Sequence, residues 1–185
     1  MTKTKKKSNG NSFLGTLAAL IILCVVLTIV SDKFLTYNNL MSVLKQTTFT
    51  ALLSTGMLLC LITAGIDLSV GANATFCACI CGMLVKGGMT NSLVLIVIAI
   101  VAGTLIGLIN GLLLTRLHLP HPFVSTLGMK NFLWGASLLV VSSQMVSGFP
   151  DGVMALGSAT IGGFPVSFII VVVIYVIMHI LLTKT

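Results

Sequence analysis

The stretch Thr63-Ala64-Gly65-Ile66-Asp67-Leu68-Ser69-Val70-Gly71 lies between two long apolar runs and contains one of only 3 acidic residues in the chain. An ionised carboxylate at the centre of a membrane helix costs roughly 2.5–3.5 kcal/mol on insertion scales. Asp67 is therefore expected at a membrane surface, in a protein interior or in a functional site. Gly65 and Gly71 flank it, and glycine permits a sharp backbone break. The stretch predicts two helices that end and begin around a polar turn.

The composition around this turn is that of a membrane protein. Hydrophobic residues make up 57% of the 185 residues and charged residues only 7%, whereas soluble domains carry about 25% charged residues. Such a chain lacks the polar surface that a soluble fold needs. We predict an all-α, polytopic integral membrane protein with about six transmembrane helices, because helices satisfy their own backbone hydrogen bonds in lipid.

The apolar runs set the predicted organisation of the chain. The basic residues 1–12 are expected to form a disordered tail, followed by a transmembrane domain over residues 13–185. Residues 31–48 are interpreted as a polar link, and the glycine- and proline-rich residues 147–165 as an ordered loop or a short re-entrant piece. The predicted spans are residues 13–30, 49–64, 68–85, 93–115, 123–146 and 166–182.

The charge distribution predicts the orientation in the membrane. The net charge is +7, and a cluster of lysines in the first seven residues favours a cytoplasmic N-terminus. The orientation depends on this tail alone, because the remaining basic residues divide evenly between the two sides. It places the opening stretch in the cytoplasmic half of the membrane. No basic face with interleaved aromatic residues is present, so the sequence predicts no nucleic-acid partner.

Polar side chains inside the predicted spans are the candidates for a solute path or a gate, because each must find a polar partner in protein or a pore. For Asp67, capping of the third helix through the backbone N–H of Ser69 or Val70 is favoured over gating, and the two roles are compatible. Trp134 is as consistent with interface anchoring as with a sugar path. The full set of candidates is Asp67, Ser69, Asn73, Asn110, Asn131 and Trp134.

Glycines and prolines make up the predicted structural motif. Gly103, Gly107 and Gly111 recur every four residues and line one helix face, where close packing of a neighbouring helix is favoured over a role in the solute path. Two prolines after the fourth span prevent a helix from continuing through the link. The predicted motif residues are Gly65, Gly71, Gly103, Gly107, Gly111, Pro120 and Pro122.

Several function classes lack their motifs. The 5 cysteines show no CxxC spacing, and the 3 histidines have no carboxylate at metal-ligand spacing, so no metal and no cofactor are predicted. There are no paired carboxylates and no catalytic triad signature, so no catalytic residues and no enzyme are predicted. The phosphate-binding pattern GxxxxGK[ST] is also missing, so a transport process driven by ATP would need a separate ATPase subunit.

Three segments carry a resemblance to a known family. The heptapeptide Gly65–Gly71 resembles the signature of the ribose-type ABC transporter permeases, the membrane subunits of bacterial carbohydrate importers. Asn110–Leu113 and Leu119–Gly128 are similar to two further landmarks of that family. Many members have a shorter Pro-Phe-Ile/Val-x-Thr-Leu-Gly form of the last segment, so the extra His-Pro in this chain is a departure. Order and spacing agree over residues 40–185.

The resemblance implies a permease for a monosaccharide or a related small polar solute in the bacterial plasma membrane. It also implies a second permease subunit in a homo- or heterodimer, a cytoplasmic ATP-binding subunit and an extracytoplasmic solute-binding protein. Family members continue into a segment that couples to the ATPase, so the end at Thr185 leads us to expect a truncated product or a fragment. The open alternatives are a secondary transporter or channel and a membrane fragment without transport function. The identity of the solute does not follow from the sequence.

Overall fold

The computed structural model describes residues 10–63, 65–116 and 122–184, and these form helices joined by short connections. They divide into two compact units, of which one ends at Val43 and the other begins at Leu44. Residues 1–9 of the predicted disordered tail lie outside the described residues, whereas residues 10–12 belong to the first helix. The elements are α1 (Gly10–Val30), α2 (Tyr37–Ile62), α3 (Val70–Lys86), α4 (Ser92–Arg116), α5 (Pro122–Val140), α6 (Asp151–Ser158), β1 (Thr160–Ile161), β2 (Phe164–Pro165) and α7 (Val166–Lys184).

The predicted class, an all-α polytopic membrane protein, is confirmed. Within the described residues, 3 segments are long and apolar enough to cross a bilayer, namely Phe13–Val30, Ser92–Arg116 and Val166–Lys184. The helix α3 is apolar but shorter, at 17 residues. The predicted count of about six spans is not reached by length and composition alone, and it stays a prediction.

Helix α2 begins at Tyr37, so most of the predicted polar link over residues 31–48 is helical. The backbone N–H of Leu40 donates to the carbonyl of Thr36 at 3.0 Å, which starts the helix within the polar segment. Further along, the hydroxyl of Thr48 donates to the carbonyl of Leu44 at 2.7 Å. A hydroxyl that bonds to the backbone of its own helix needs no water as a partner. Polar residues are therefore compatible with a helix here, and they did not indicate where the non-helical link ends.

Helix α5 ends at Val140, earlier than the predicted Val146. Ser142 and Ser143 both adopt the left-handed conformation, with φ of 51° and 55°, and this stops the helix. The predicted loop over residues 147–165 then contains α6 and an antiparallel pairing of β1 with β2. The prediction of an ordered loop or a short re-entrant piece did not identify this short helix and hairpin, and the re-entrant placement stays a prediction.

Helix α3 is the centre of the second unit, since it packs against both α4 and α5, while α6 packs against α4 and α7. The buried core of these contacts is small and consists of Ala72, Cys77, Ile106 and Leu133. Small side chains on α3 allow the neighbouring helices to approach closely, as is common in membrane bundles. This packing brings the turn before α3, the C-terminal part of α4 and the N-terminal part of α5 to the same end of the unit.

Candidate functional site

The turn between α2 and α3 contains the opening stretch of the sequence. The backbone N–H of Gly65 and the hydroxyl of Thr63 both donate to the carbonyl of Cys60, at 2.9 Å and 2.8 Å. Gly71 lies inside α3. The predicted break between the two helices is present, and the part that Gly65 and Gly71 play in it stays a prediction. A Cβ at Gly65 would lie 3.4 Å from the Cys60 carbonyl oxygen, an ordinary van der Waals distance.

Asp67 caps the N-terminal end of α3, as the sequence predicted. Its Oδ1 accepts the backbone N–H of Ser69 at 2.7 Å and the hydroxyl of Ser69 at 2.6 Å. The side chain of Ser69 accepts no capping bond from the helix, and its hydroxyl hydrogen is donated to the carboxylate. The positive end of the helix dipole lies beside the negative charge, which adds to the stabilisation.

Asn110 connects this cap to two other helices. It lies on α4 and is only 6% exposed. Its Nδ2 donates to Oδ2 of Asp67 at 3.4 Å and to the hydroxyl oxygen of Ser69 at 3.3 Å, while its Oδ1 accepts the hydroxyl of Ser125 at 3.4 Å. One side-chain amide therefore bonds the turn, α4 and α5 together, which is how a buried amide avoids the cost of an unpaired polar group.

Thr126 forms a second connection between the turn and α5. Its hydroxyl donates to the backbone carbonyl of Ile66 at 3.1 Å and is shared with the carbonyl of Phe123 at 3.3 Å. Thr126 is 5% exposed, so this bond is shielded from water. The sequence analysis missed Ser125 and Thr126 as site residues. Their one signal was that both lie in the Leu119–Gly128 segment that carried the family resemblance.

Asn73 lies one turn further along α3 and makes a separate contact with α4. Its Nδ2 donates to the carbonyl of Gly103 at 3.2 Å, and its Oδ1 accepts the thiol of Cys77 at 3.4 Å. A Cβ at Gly103 would lie 3.6 Å from Sγ of Cys77, an ordinary van der Waals distance, so α3 and α4 are in close contact at this point. The structure therefore gives Asn73 and Gly103 a role in helix packing.

Two of the predicted site residues lie apart from the Asp67 cluster. Asn131 and Trp134 are on the later turns of α5 and are exposed, with Trp134 at 51%. No contact places either of them with the described residues of the cluster. Pro122, which the prediction placed in the link before the fifth span, is the first residue of α5. Pro120 lies outside the described residues.

A cavity of about 210 Å³ lies beside the cluster, bordered by the turn, α4 and α5. Gly107 and Gly111 face open space, because a side chain added at either would meet no atom within 4 Å. A second cavity of about 250 Å³ lies between α2 and α3, and Asp67 borders both cavities. The first is lined by Cys60, Thr63, Gly65, Ile66, Asp67, Gly107, Asn110, Gly111, Leu114, Pro122 and Thr126.

The arrangement is suited to holding a small polar group between helices. A carboxylate, an amide and hydroxyls converge at one end of an otherwise apolar bundle, next to the cavity of about 210 Å³. Within residues 10–63, 65–116 and 122–184, no group of three or more His, Cys, Asp or Glu side chains is positioned to hold a metal ion. The chemistry that the cluster offers is therefore hydrogen bonding and electrostatic selection.

Residues 39–185 match the family described as "Branched-chain amino acid transport system / permease component". The chain is 29% identical over 184 residues to the D-allose transport system permease protein AlsC of Escherichia coli (strain K12), covering 97% of this chain and 56% of that protein. It is 33% identical over 175 residues to the ribose import permease protein RbsC of Bacillus subtilis (strain 168), covering 93% and 53%. It is also 29% identical over 204 residues to the fructose import permease protein FruF of Bifidobacterium longum (strain NCC 2705), covering 98% and 57%.

These similarities extend over almost all of this chain but only part of each relative. The chain spans about half the length of the curated relatives it matches. No solved structure matches the chain.

Proposed function

Because the chain belongs to the permease family that includes the ribose, allose and fructose import permeases, we propose that it is a transmembrane subunit of a bacterial ABC importer. The solute is a monosaccharide or a related small polar molecule. The chain contributes to the translocation path, and a separate ATPase supplies the energy. The observation that carries this proposal is the Asp67–Asn110 cluster beside its cavity.

The cluster supports a transport role because burying its polar groups in a membrane domain costs free energy. Ser69, Asn110 and Thr126 are 2%, 6% and 5% exposed, and each is held by hydrogen bonds to another element. An apolar set of side chains would pack these helices without a carboxylate, an amide and several hydroxyls in the membrane domain. Polar groups that border a cavity between spans are the groups that a hydrophilic solute needs on its path.

The bond lengths suggest which part of the site moves during transport. The two bonds from Ser69 to Asp67 are short, at 2.6 and 2.7 Å, whereas the three bonds of Asn110 are 3.3–3.4 Å long. Long hydrogen bonds are weak, so a shift of α4 or α5 breaks the outer bonds while the cap on α3 stays intact. Rearrangement of the permease helices therefore opens or closes the cavity at Asn110.

The proposed assembly contains a cytoplasmic ATP-binding subunit, a second permease subunit and an extracytoplasmic solute-binding protein. We place the protein in the bacterial plasma membrane with its N-terminus in the cytoplasm, since the lysine-rich tail obeys the positive-inside rule. In this orientation the Asp67 cluster and Arg116 lie toward the ATPase. Asp67, Ser69, Asn73, Asn110, Asn131 and Trp134 remain the proposed path or gating residues.

The test is co-expression of the chain with an ATP-binding subunit and a solute-binding protein from the same genome, followed by affinity purification and reconstitution. Uptake of radiolabelled D-ribose, D-allose and D-fructose into proteoliposomes is measured with ATP, with a non-hydrolysable ATP analogue and with an ion gradient alone. We expect the ATPase subunit to co-purify and uptake to require ATP hydrolysis. The control variant for the uptake assay is an Asp151→Asn chain, in which an exposed carboxylate on α6 is removed, and its uptake should equal that of the native chain.

Two results would contradict the proposal. Uptake that an ion gradient drives without the ATPase would indicate a secondary transporter or channel. The lack of both co-purification and uptake under every condition, from a chain that reaches the membrane in normal amount, would indicate a fragment without transport function.

A further inference from the structure

The hydroxyl and amide side chains around the 210 Å³ cavity already donate their hydrogens to other groups of the protein. The hydroxyl of Thr63 donates to the carbonyl of Cys60, and the hydroxyl of Thr126 donates to the carbonyl of Ile66. Of the two hydrogens on Nδ2 of Asn110, one is donated to Asp67 and the other to Ser69, which is not one of the lining residues. What these hydroxyl and carboxylate groups still offer to the cavity is oxygen lone pairs.

The charge of the cavity wall is also one-sided. Among the described residues, three groups donate to the carboxylate of Asp67, namely a backbone amide, a hydroxyl and a side-chain amide, and none of them carries a charge. No Lys, Arg or His is among the described residues that line the cavity. The N-terminus of α3 lies beside the carboxylate and offsets part of its charge, but no cationic side chain among these lining residues neutralises it. In a medium of low dielectric constant, the remaining negative charge acts strongly on any charge nearby.

From this geometry we infer that the cavity is an electrostatic filter in which Asp67 is the specificity-determining residue. It accepts neutral groups that donate hydrogen bonds, such as sugar hydroxyls, and cationic groups such as amines. It rejects anions, including phosphate esters and carboxylates, because an anion meets oxygen lone pairs and a negative charge but no cationic side chain among the described residues of the lining. The inference rests on the proposed function only in placing the cavity on the solute path.

Cys60 provides a reporter at the cavity, because it is one of the residues that line it. Alkyl methanethiosulfonates convert a thiol to a mixed disulfide and release methanesulfinate, and they exist as cationic aminoethyl, neutral hydroxyethyl and anionic sulfonatoethyl forms. The native chain is reconstituted in nanodiscs of neutral phosphatidylcholine, so the lipid adds no surface potential. Modification of Cys60 is followed by peptide mass spectrometry, and each rate is divided by the rate of the same reagent with a small thiol in solution.

We expect the normalised rates of the cationic and neutral reagents to exceed that of the anionic reagent by about tenfold or more. Asp67→Asn should reduce the cation-to-anion ratio to near 1 while leaving the neutral reagent able to react. Using a ratio removes any change in the reactivity of the Cys60 thiol itself. The matched control is Asp151→Asn, whose carboxylate is exposed on α6 and should leave the ratio unchanged.

A second measurement does not depend on the folding of a variant. Raising the salt from about 0.01 M to about 1 M shortens the Debye length from about 30 Å to about 3 Å, so the ratio of the native chain should fall. A native ratio near 1 at low salt would overturn the inference, and so would a ratio that Asp67→Asn leaves unchanged. Failure of all three reagents to react would overturn it as well, since the cavity would then be closed to polar groups. These outcomes are independent of ATP-driven uptake, so the proposed function stands or fails separately.

Discussion

Replacement of Asp67 by alanine should destabilise the helical bundle by about 3 kcal/mol. Loss of an N-cap costs about 0.5–2 kcal/mol, and leaving a buried donor without an acceptor costs about 1–3 kcal/mol. Both apply here, because the carboxylate caps α3 and also accepts from Ser69 and Asn110, which are 2% and 6% exposed.

Asp67→Asn should cost about 1–2 kcal/mol, since the amide oxygen keeps the acceptor for Ser69, whereas the amide nitrogen replaces Oδ2 and cannot accept from Asn110. The free energy of unfolding is measured by titration with sodium dodecyl sulfate in bicelles. Trp134 is the single tryptophan of the chain, so its fluorescence reports on α5 without labelling. Asp151→Asn is the control and should change stability by less than about 0.5 kcal/mol, as is usual for exposed sites.

The reasoning would be refuted by two patterns. If Asp67→Ala unfolds within about 0.5 kcal/mol of the native chain, the hydrogen bonds of the cluster contribute less than their burial implies. If Asp67→Asn and Asp67→Ala are equally destabilising, or abolish transport equally at normal membrane levels, the charge rather than the cap is what matters.

Three further changes test other contacts. Gly82→Ala should destabilise by about 1–3 kcal/mol, measured by the same titration, because the new Cβ would lie 2.6 Å from Cγ1 of Val146. Gly107→Leu should occupy the 210 Å³ cavity and slow the neutral reagent at Cys60 by about tenfold. Lys45→Met removes the 3.1 Å bond from Nζ to the carbonyl at the C-terminal end of α6, so amide exchange in the last turn of α6 should become a few times faster.

The controls for these changes come from the same chain. Gly128→Ala is matched to Gly82→Ala, because a side chain there would meet no atom within 4 Å, and it should be neutral or slightly stabilising. Gly71→Leu is matched to Gly107→Leu, since Gly71 borders the second cavity and not the one that contains Cys60. Equal effects within either pair would contradict the assignment of the contact.

The spans and the polar turn could be predicted because hydropathy and Asp67 are local signals. The third span was predicted to end at residue 85, and α3 ends at Lys86, just before Gly88 with its positive φ of 94°. The start of α2 and the end of α5 could not be predicted. Hydropathy records which residues suit lipid, whereas the limits of a helix depend on backbone hydrogen bonds, such as those that Thr36 accepts, and on the left-handed turn at Ser142.

Only part of the site could be predicted from the sequence, for a similar reason. Asp67 and Asn110 are costly in a membrane, so each could be singled out alone. Ser125 and Thr126 could not, because a hydroxyl in a helix normally bonds to its own backbone and carries no information about a partner. Only the packing of α5 against the turn gives Thr126 the carbonyl of Ile66 as an acceptor.

This difference between the two kinds of hydroxyl has a consequence for how the protein is made. Thr28, Thr104 and Thr183 donate to a carbonyl four residues earlier in their own helices, so these helices can leave the insertion machinery singly without an exposed donor. Asp67 and Asn110 depend on each other across two helices. During synthesis the carboxylate of Asp67 can already form its bonds to Ser69 in the same segment, whereas its bond to Asn110 forms only when α4 follows.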